Sequence, residues 1–137
     1  MKKTLIAFYS YSGHAKALAQ ACEAKESAEI LEIHDVKRPG TIRAYTAGCY
    51  AAMRGKAWPI QPLGVDLSEF ERVILFAPVW AGNPPPAVHA FLGLLPEKIT
   101  VSVHMVSASG RCSCKGKLEA ALQARGCTLE GFENLKA

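Results

Sequence analysis

The residues best suited to chemistry in this chain stand together at Ser10-Tyr11-Ser12-Gly13-His14-Ala15. They fall between an apolar run and a helical pattern, so they form a strand-to-helix turn. The amides of a helix's first turn have no intrahelical acceptor, and the helix dipole favours negative charge there. Ser10 and Ser12 add hydroxyl groups, and Gly13 lets the backbone approach a bound group closely. The chemistry on offer is an anion cradle, suited to a phosphate, that needs no lysine or arginine. The same residues also suit a plain helix start with Ser12 as N-cap, and the local sequence leaves both readings open. The glycine spacings of a P-loop and of a dinucleotide fingerprint are both absent.

Two further turns share this character. Pro78-Val79-Trp80-Ala81-Gly82-Asn83 follows the clearest strand; Gly82 and Asn83 tolerate a tight turn with outward amides. Trp80 offers a flat face to a planar ligand or packs into the core beneath the loop, and both readings stay open. Ser107-Ala108-Ser109-Gly110-Arg111 is small and polar, leaving room for backbone amides to reach the edge of a ring, or is an ordinary connecting loop. Just beyond it lie Cys112 and Cys114, with Arg111 and Lys115 alongside. Cationic neighbours and a helix start favour a lowered thiol pKa, which suggests a redox dithiol, and two incidental loop thiols are the alternative. His14, His34, His89 and His104 lack zinc-site spacing relative to the cysteines, so no metal site is expected. His104 lies in a buried-strand pattern and reads as a satisfied core histidine.

The elements that position these turns follow from periodicity. Thr4 to Tyr9 reads as a buried strand, and Ala15, Leu18, Ala19 and Cys22 recur on one helical face. Ala28 to Ile33 is a second strand. The segment from Asp35 to Gly64 is irregular, with a helix predicted over Tyr45 to Met53 and an extended stretch at Trp58 to Pro62. Asp66 to Phe70 reads as a helical turn before a strand at Arg72 to Pro78. Pro84-Pro85-Pro86 opens a helix whose apolar face is Val88, Phe91, Leu92 and Leu95. Thr100 to Val106 is a fourth strand, Leu118, Ala121 and Leu122 mark a helix stopped at Gly126, and Thr128 to Phe132 is an edge strand.

Strands alternating with helices imply a three-layer α/β sandwich: a five-stranded parallel sheet covered on both faces. Right-handed crossovers make 2-1-3-4-5 the leading order. The turns named above then lie at adjacent carboxyl ends, where open sheets of this kind bind ligands. One would hold a phosphate and the other two a flat ring.

At 137 residues the chain is expected to form one domain over 1–137. Half of its residues are hydrophobic and a fifth charged, enough for a core and unlike a disordered chain. The lysines before the first apolar run invite a signal-peptide reading, but that run is short and no cleavage site follows. No run is long enough to span a bilayer, and a cytoplasmic location is expected. Five cysteines at irregular spacing do not form a disulfide framework. The net charge of +4 is scattered without interleaved aromatics, so no nucleic-acid partner is expected.

These residues resemble the flavodoxin family. Leu5-Ile6-Ala7-Phe8-Tyr9-Ser10-Tyr11-Ser12-Gly13-His14 is similar to its phosphate loop. Asp66 through Gly82 (DLSEFERVILFAPVWAG) resembles its third strand and first flavin loop, and Pro84 through Leu92 the helix after it. The resemblance is weakest from Asp35 to Pro62. It implies FMN bound without a covalent bond, with Ser10, Tyr11, Ser12, Gly13, His14 and Ala15 about the phosphate. Pro78, Val79, Trp80, Ala81, Gly82 and Asn83 would form one wall of the ring site, and Ser107, Ala108, Ser109, Gly110 and Arg111 the other.

Two departures stand out. Ala15 replaces the threonine that usually ends the loop, removing one hydrogen bond of about 0.5–1.5 kcal/mol. The chain is also basic, whereas carriers of the family are usually acidic. What the resemblance implies is electron transfer through flavin, to a protein partner or as a small oxidoreductase of NAD(P)H or quinones. A flavin-free binding or regulatory domain is the reading of another class. No acid–base residue is expected, and the oligomeric state is left open.

Overall fold

A computed structural model describes residues 3–11, 13–26, 28–37, 40–110, 112 and 114–136. The first strand, β1 (Lys3–Phe8), is followed by α1 (His14–Glu26) and a short β2 (Glu29–Glu32). A helical stretch then runs through α2 (Thr41–Arg43), a π-helical turn (Ala44–Gly48) and α3 (Cys49–Met53). A 3₁₀ turn (Leu67–Glu69) leads into β3 (Phe70–Pro78). After it come α4 (Pro86–Leu92), β4 (Thr100–Ser107), α5 (Lys115–Ala124) and β5 (Thr128–Lys136).

The strands form one sheet in the order β2-β1-β3-β4-β5, every pair parallel. This is the 2-1-3-4-5 arrangement expected from the alternation of elements. Parallel strands buried on both faces must be apolar on both, as β1 and β3 are, whereas β4 is apolar on one face (Val101, Val103, Met105) and carries Ser102 and His104 on the other. Leu5, Ala7, Val73, Leu75, Val101 and Val103 form one core with Val88 and Phe91 of α4 and Leu118 and Leu122 of α5. Ile6, Phe8, Ile74 and Phe76 face the other way, onto Ala15 and Ala19 of α1.

Element boundaries differ from expectation in two instructive places. The helix predicted from Tyr45 begins at Thr41, because Gly40 takes the extended N-cap conformation without a side-chain cap. No Ser, Thr, Asp or Asn side chain marks that cap, so sequence patterning passes over it. The strand predicted over Thr128 to Phe132 runs on to Lys136. Its register shifts opposite Val101/Ser102, a bulge that lets Leu129 and Phe132, at odd spacing, pack on the same core. Of the three residues that mark α5 in the sequence, Leu118 and Leu122 are buried and Ala121 is exposed.

The irregular segment is tied down by a buried polar pair. Tyr9, directly after β1, donates its phenol proton to the Asp35 carboxylate. Asp35 in turn bridges Ile60 as an isolated antiparallel contact. Removing a hydrogen bond from a buried carboxylate costs more than removing a neutral one. Tyr9→Phe is therefore expected to lower unfolding free energy by about 1.5–3 kcal/mol. Urea denaturation would show this as a lower midpoint at unchanged slope.

Candidate functional site

Three strand ends meet at one rim of the sheet. Ser10, Tyr11, His14 and Ala15 from the β1–α1 turn, Pro78 from β3, and Val106, Ser107 and Ala108 from β4 enclose a cleft of about 240 Å³. Gly13 is held by its own amide donating to Ser10 Oγ at 2.9 Å, and its carbonyl accepts from Ala17 N–H at 3.1 Å. Its φ of 99° is a conformation L side chains rarely adopt, and a Cβ there would meet open space. The first residues of α1, His14 and Ala15, thus stand against the cleft, and among the described residues no carboxylate lines it. Ser12 and Arg111 lie outside the described residues.

The loop after β3 closes as a tight turn. Trp80 and Asn83 exchange both backbone hydrogen bonds, at 2.8 and 3.0 Å. Between them Ala81 and Gly82 have φ of 51° and 76°. Two successive positive φ values make a primed turn, which Gly82 accommodates and Ala81 adopts at a cost. Asn83 Nδ2 donates to the Ala81 carbonyl at 2.9 Å and stiffens the turn. The loop after β4 is held by Gly110 N–H donating to Ser107 Oγ at 2.9 Å. Cys112 Sγ donates to the Gly82 carbonyl at 3.1 Å, tying the two loops together. Val79 N–H donates to the Val106 carbonyl at the strand ends.

Of the two readings open for Trp80, the structure shows the packed one. Its side chain is 9% exposed and lies edge-on to Tyr9 and Tyr11, ring centroids 5.9 and 5.7 Å away. Gly48 presses against it: a Cβ on Gly48 would sit 2.7 Å from Trp80 Cζ3. Trp58 adjoins the same glycine and carries Arg43 over its ring at 4.9 Å. The π-helical turn is what delivers Gly48, rather than a side chain, to this contact. Tyr11, half-buried, lines the cleft itself, as does His14.

The redox-dithiol expectation needs correction at Cys114. That thiol is 1% exposed, and burial pushes its pKa up to about 12, with a hydrogen bond to Cys112 adding to the effect. Lys117 offsets this only in part. Desolvation outweighs the cationic neighbours and the helix start, so Cys114 is no ready thiolate. Among the described residues no cluster of His, Cys, Asp and Glu can hold a metal. No helix among them is long and apolar enough to cross a membrane.

Two histidines carry a pH signature. His89 on α4 is lowered from 6.5 by burial, opposed by the Ala52 and Pro84 carbonyls. His104 is lowered by burial too, opposed by Glu133 at 3.4 Å, while Arg72 reinforces the lowering. It stacks on Phe76 at 4.7 Å and is only partly buried, so it is not the satisfied core histidine that the strand pattern suggests. A base whose folded pKa is depressed binds its proton more tightly when unfolded. The stability these rings contribute is full above 6.5 and is lost as pH falls below that value through the folded pKa. Melting temperature is expected to fall between pH 7.5 and 5.5, and the double variant His89→Gln/His104→Gln to show a shallower fall.

Sequence patterning missed the Tyr9–Asp35 pair and left the Trp80 packing open, because both join segments far apart in the chain. No family model matches the chain, and no curated protein sequence matches it. Solved structures do. A flavoprotein in complex with FMN from Lactobacillus acidophilus NCFM is 20% identical, with a TM-score of 0.71 over 96% of this chain and 92% of that one. A provisionally assigned flavoprotein from Bacteroides eggerthii DSM 20697 is 15% identical, with a TM-score of 0.79 over 97% and 87%. A Streptococcus pneumonia TIGR4 flavodoxin is 14% identical, with a TM-score of 0.54 over 98% and 86%. The chain has the flavodoxin-like fold.

Proposed function

We propose that this chain is an FMN-binding redox protein of flavodoxin type. The observation that carries the reading is the cleft at the carboxyl ends of β1, β3 and β4. It is lined by the first residues of α1, next to a positive-φ glycine, Gly13, and among the described residues by no carboxylate. That donor set suits a phosphate monoester. FMN, when bound, would supply the electron-transfer chemistry.

The protein's own part is binding and positioning. The first-turn amides of α1 and the Ser10 turn would hold the phosphate. Ala15 offers no hydroxyl, so the helix end carries that binding. Pro78, Val79, Ala81, Gly82 and Asn83 would present backbone to one edge of the ring, and Ser107, Ala108, Ser109 and Gly110 to the other. Trp80 supports the loop from beneath. The cysteine tie from Cys112 to Gly82 would keep the two loops at fixed separation.

The partner is a redox protein or a small electron donor or acceptor. The basic net charge favours an enzyme acting on NAD(P)H or a quinone over a carrier of the usual acidic kind. The test is the visible spectrum of purified protein before and after FMN addition and desalting. Retained flavin absorbance supports the reading, and steady NAD(P)H oxidation with a quinone then selects the enzyme. A folded sample that retains no flavin points instead to a flavin-free binding domain, and the redox assignment falls.

A further inference from the structure

A second cavity, of about 300 Å³, lies away from the phosphate cleft, between α3, α4 and α5. That volume reaches the lower range of small-molecule sites. Its walls are largely apolar: Ala52 and Met53 from α3, Leu92 from α4, and Leu118 and Leu122 from α5. Among the described residues no carboxylate lines it. Lys117, Ala121 and Arg125 recur every fourth residue and so form one ridge of α5 along its edge. At 1.5 Å rise per residue, the two cations stand about 12 Å apart. Arg125 is spent on the Leu95 carbonyl, which its guanidinium meets at 2.9 Å. Lys117 is exposed, and no ion pair engages it among the described residues.

One buried polar atom in this wall is unsatisfied. His89 projects from α4 into the lining; the Ala52 and Pro84 carbonyls lie near its ring, but its Nε2 meets no partner within hydrogen-bond geometry. Buried polar groups without partners are rare, and each calls for an explanation. The redox reading makes no use of His89, Lys117 or this cavity.

We propose that this cavity is a second ligand site, which takes a small aromatic carboxylate. The apolar walls receive the ring, Lys117 meets the carboxylate at the mouth, and the His89 edge offers a hydrogen bond to a polar ring substituent. The complementarity lies in the charge pattern: cations at the rim, no acid in the walls, and a floor too apolar to favour a small inorganic ion. The site shares Asn83 and Cys114 with the ends of the loops after β3 and β4, so occupancy would be felt there.

The probe is 2-naphthoate, titrated into the protein as purified and followed by two-dimensional NMR and calorimetry. Saturable shifts confined to α3, α4 and α5, including the His89 ring, support the proposal. Lys117→Gln is expected to weaken binding at least about 5-fold, and Ala121→Trp, at an exposed wall position, to abolish it with the fold intact. The neutral analogue 2-naphthylmethanol is expected to bind at least about 5-fold more weakly than 2-naphthoate. Equal binding of the alcohol would overturn the carboxylate assignment. Absence of saturation at millimolar probe, or mutually exclusive binding with FMN, would overturn a separate site. Failure of the protein to retain FMN would leave these outcomes readable, since none of them depends on flavin.

Discussion

Ser10→Asp is expected to lower FMN affinity about 100-fold. Ser10 Oγ accepts the Gly13 amide proton at 2.9 Å. An aspartate can accept the same proton, so the turn and the start of α1 keep their shape. What changes is charge, because a carboxylate now lines the cleft in which the phosphate is to sit. A unit negative charge roughly 6 Å from a phosphate, at an effective dielectric near 20, opposes binding by about 3 kcal/mol, equivalent to about 100-fold. Fluorescence quenching of FMN on titration with wild-type and variant protein measures this directly. Ser10→Ala separates the two effects, since it removes the Gly13 tie without adding charge and should weaken binding far less. Unchanged affinity in Ser10→Asp would mean that the phosphate lies elsewhere.

The second large effect is on stability. Trp80→Ala is expected to lower the unfolding free energy of the flavin-free protein by about 3–5 kcal/mol. Trp80 packs edge-on to Tyr9 and Tyr11 and supports the π-helical turn through Gly48, so its removal leaves a cavity that several fixed elements border. An aromatic residue that served only to stack on a ligand would sit exposed and change stability little. Guanidinium denaturation without FMN distinguishes the two roles. A loss under 1 kcal/mol would show that the ring is held loosely and is available to a ligand.

Much of the architecture was legible from residue pattern. Apolar runs at Leu5 to Phe8 and Val73 to Ala77 can be satisfied only by burial on both faces, and helical patterns between the strands require a parallel sheet. Handedness then leaves few orders, and the observed one is among them. The turn after β1 was legible as a local signal, since a Ser-rich stretch with one glycine between strand and helix is read within six residues. The start at Thr41 and the length of β5 were not, because a capless helix and a bulged edge strand break the periodicities on which such reading depends.

Local chemistry, in short, was written in the order of residues: strand alternation, helix starts, tight turns and the small side chains around 10–15 and 107–110. Tertiary structure alone decided which way Trp80 turns, whether Cys114 is reactive, that Tyr9 reaches Asp35, and that His89 and Lys117 border one cavity. Each of those depends on burial and on contacts between segments distant in the chain. Desolvation and packing act through space, and a one-dimensional pattern carries periodicity but not proximity.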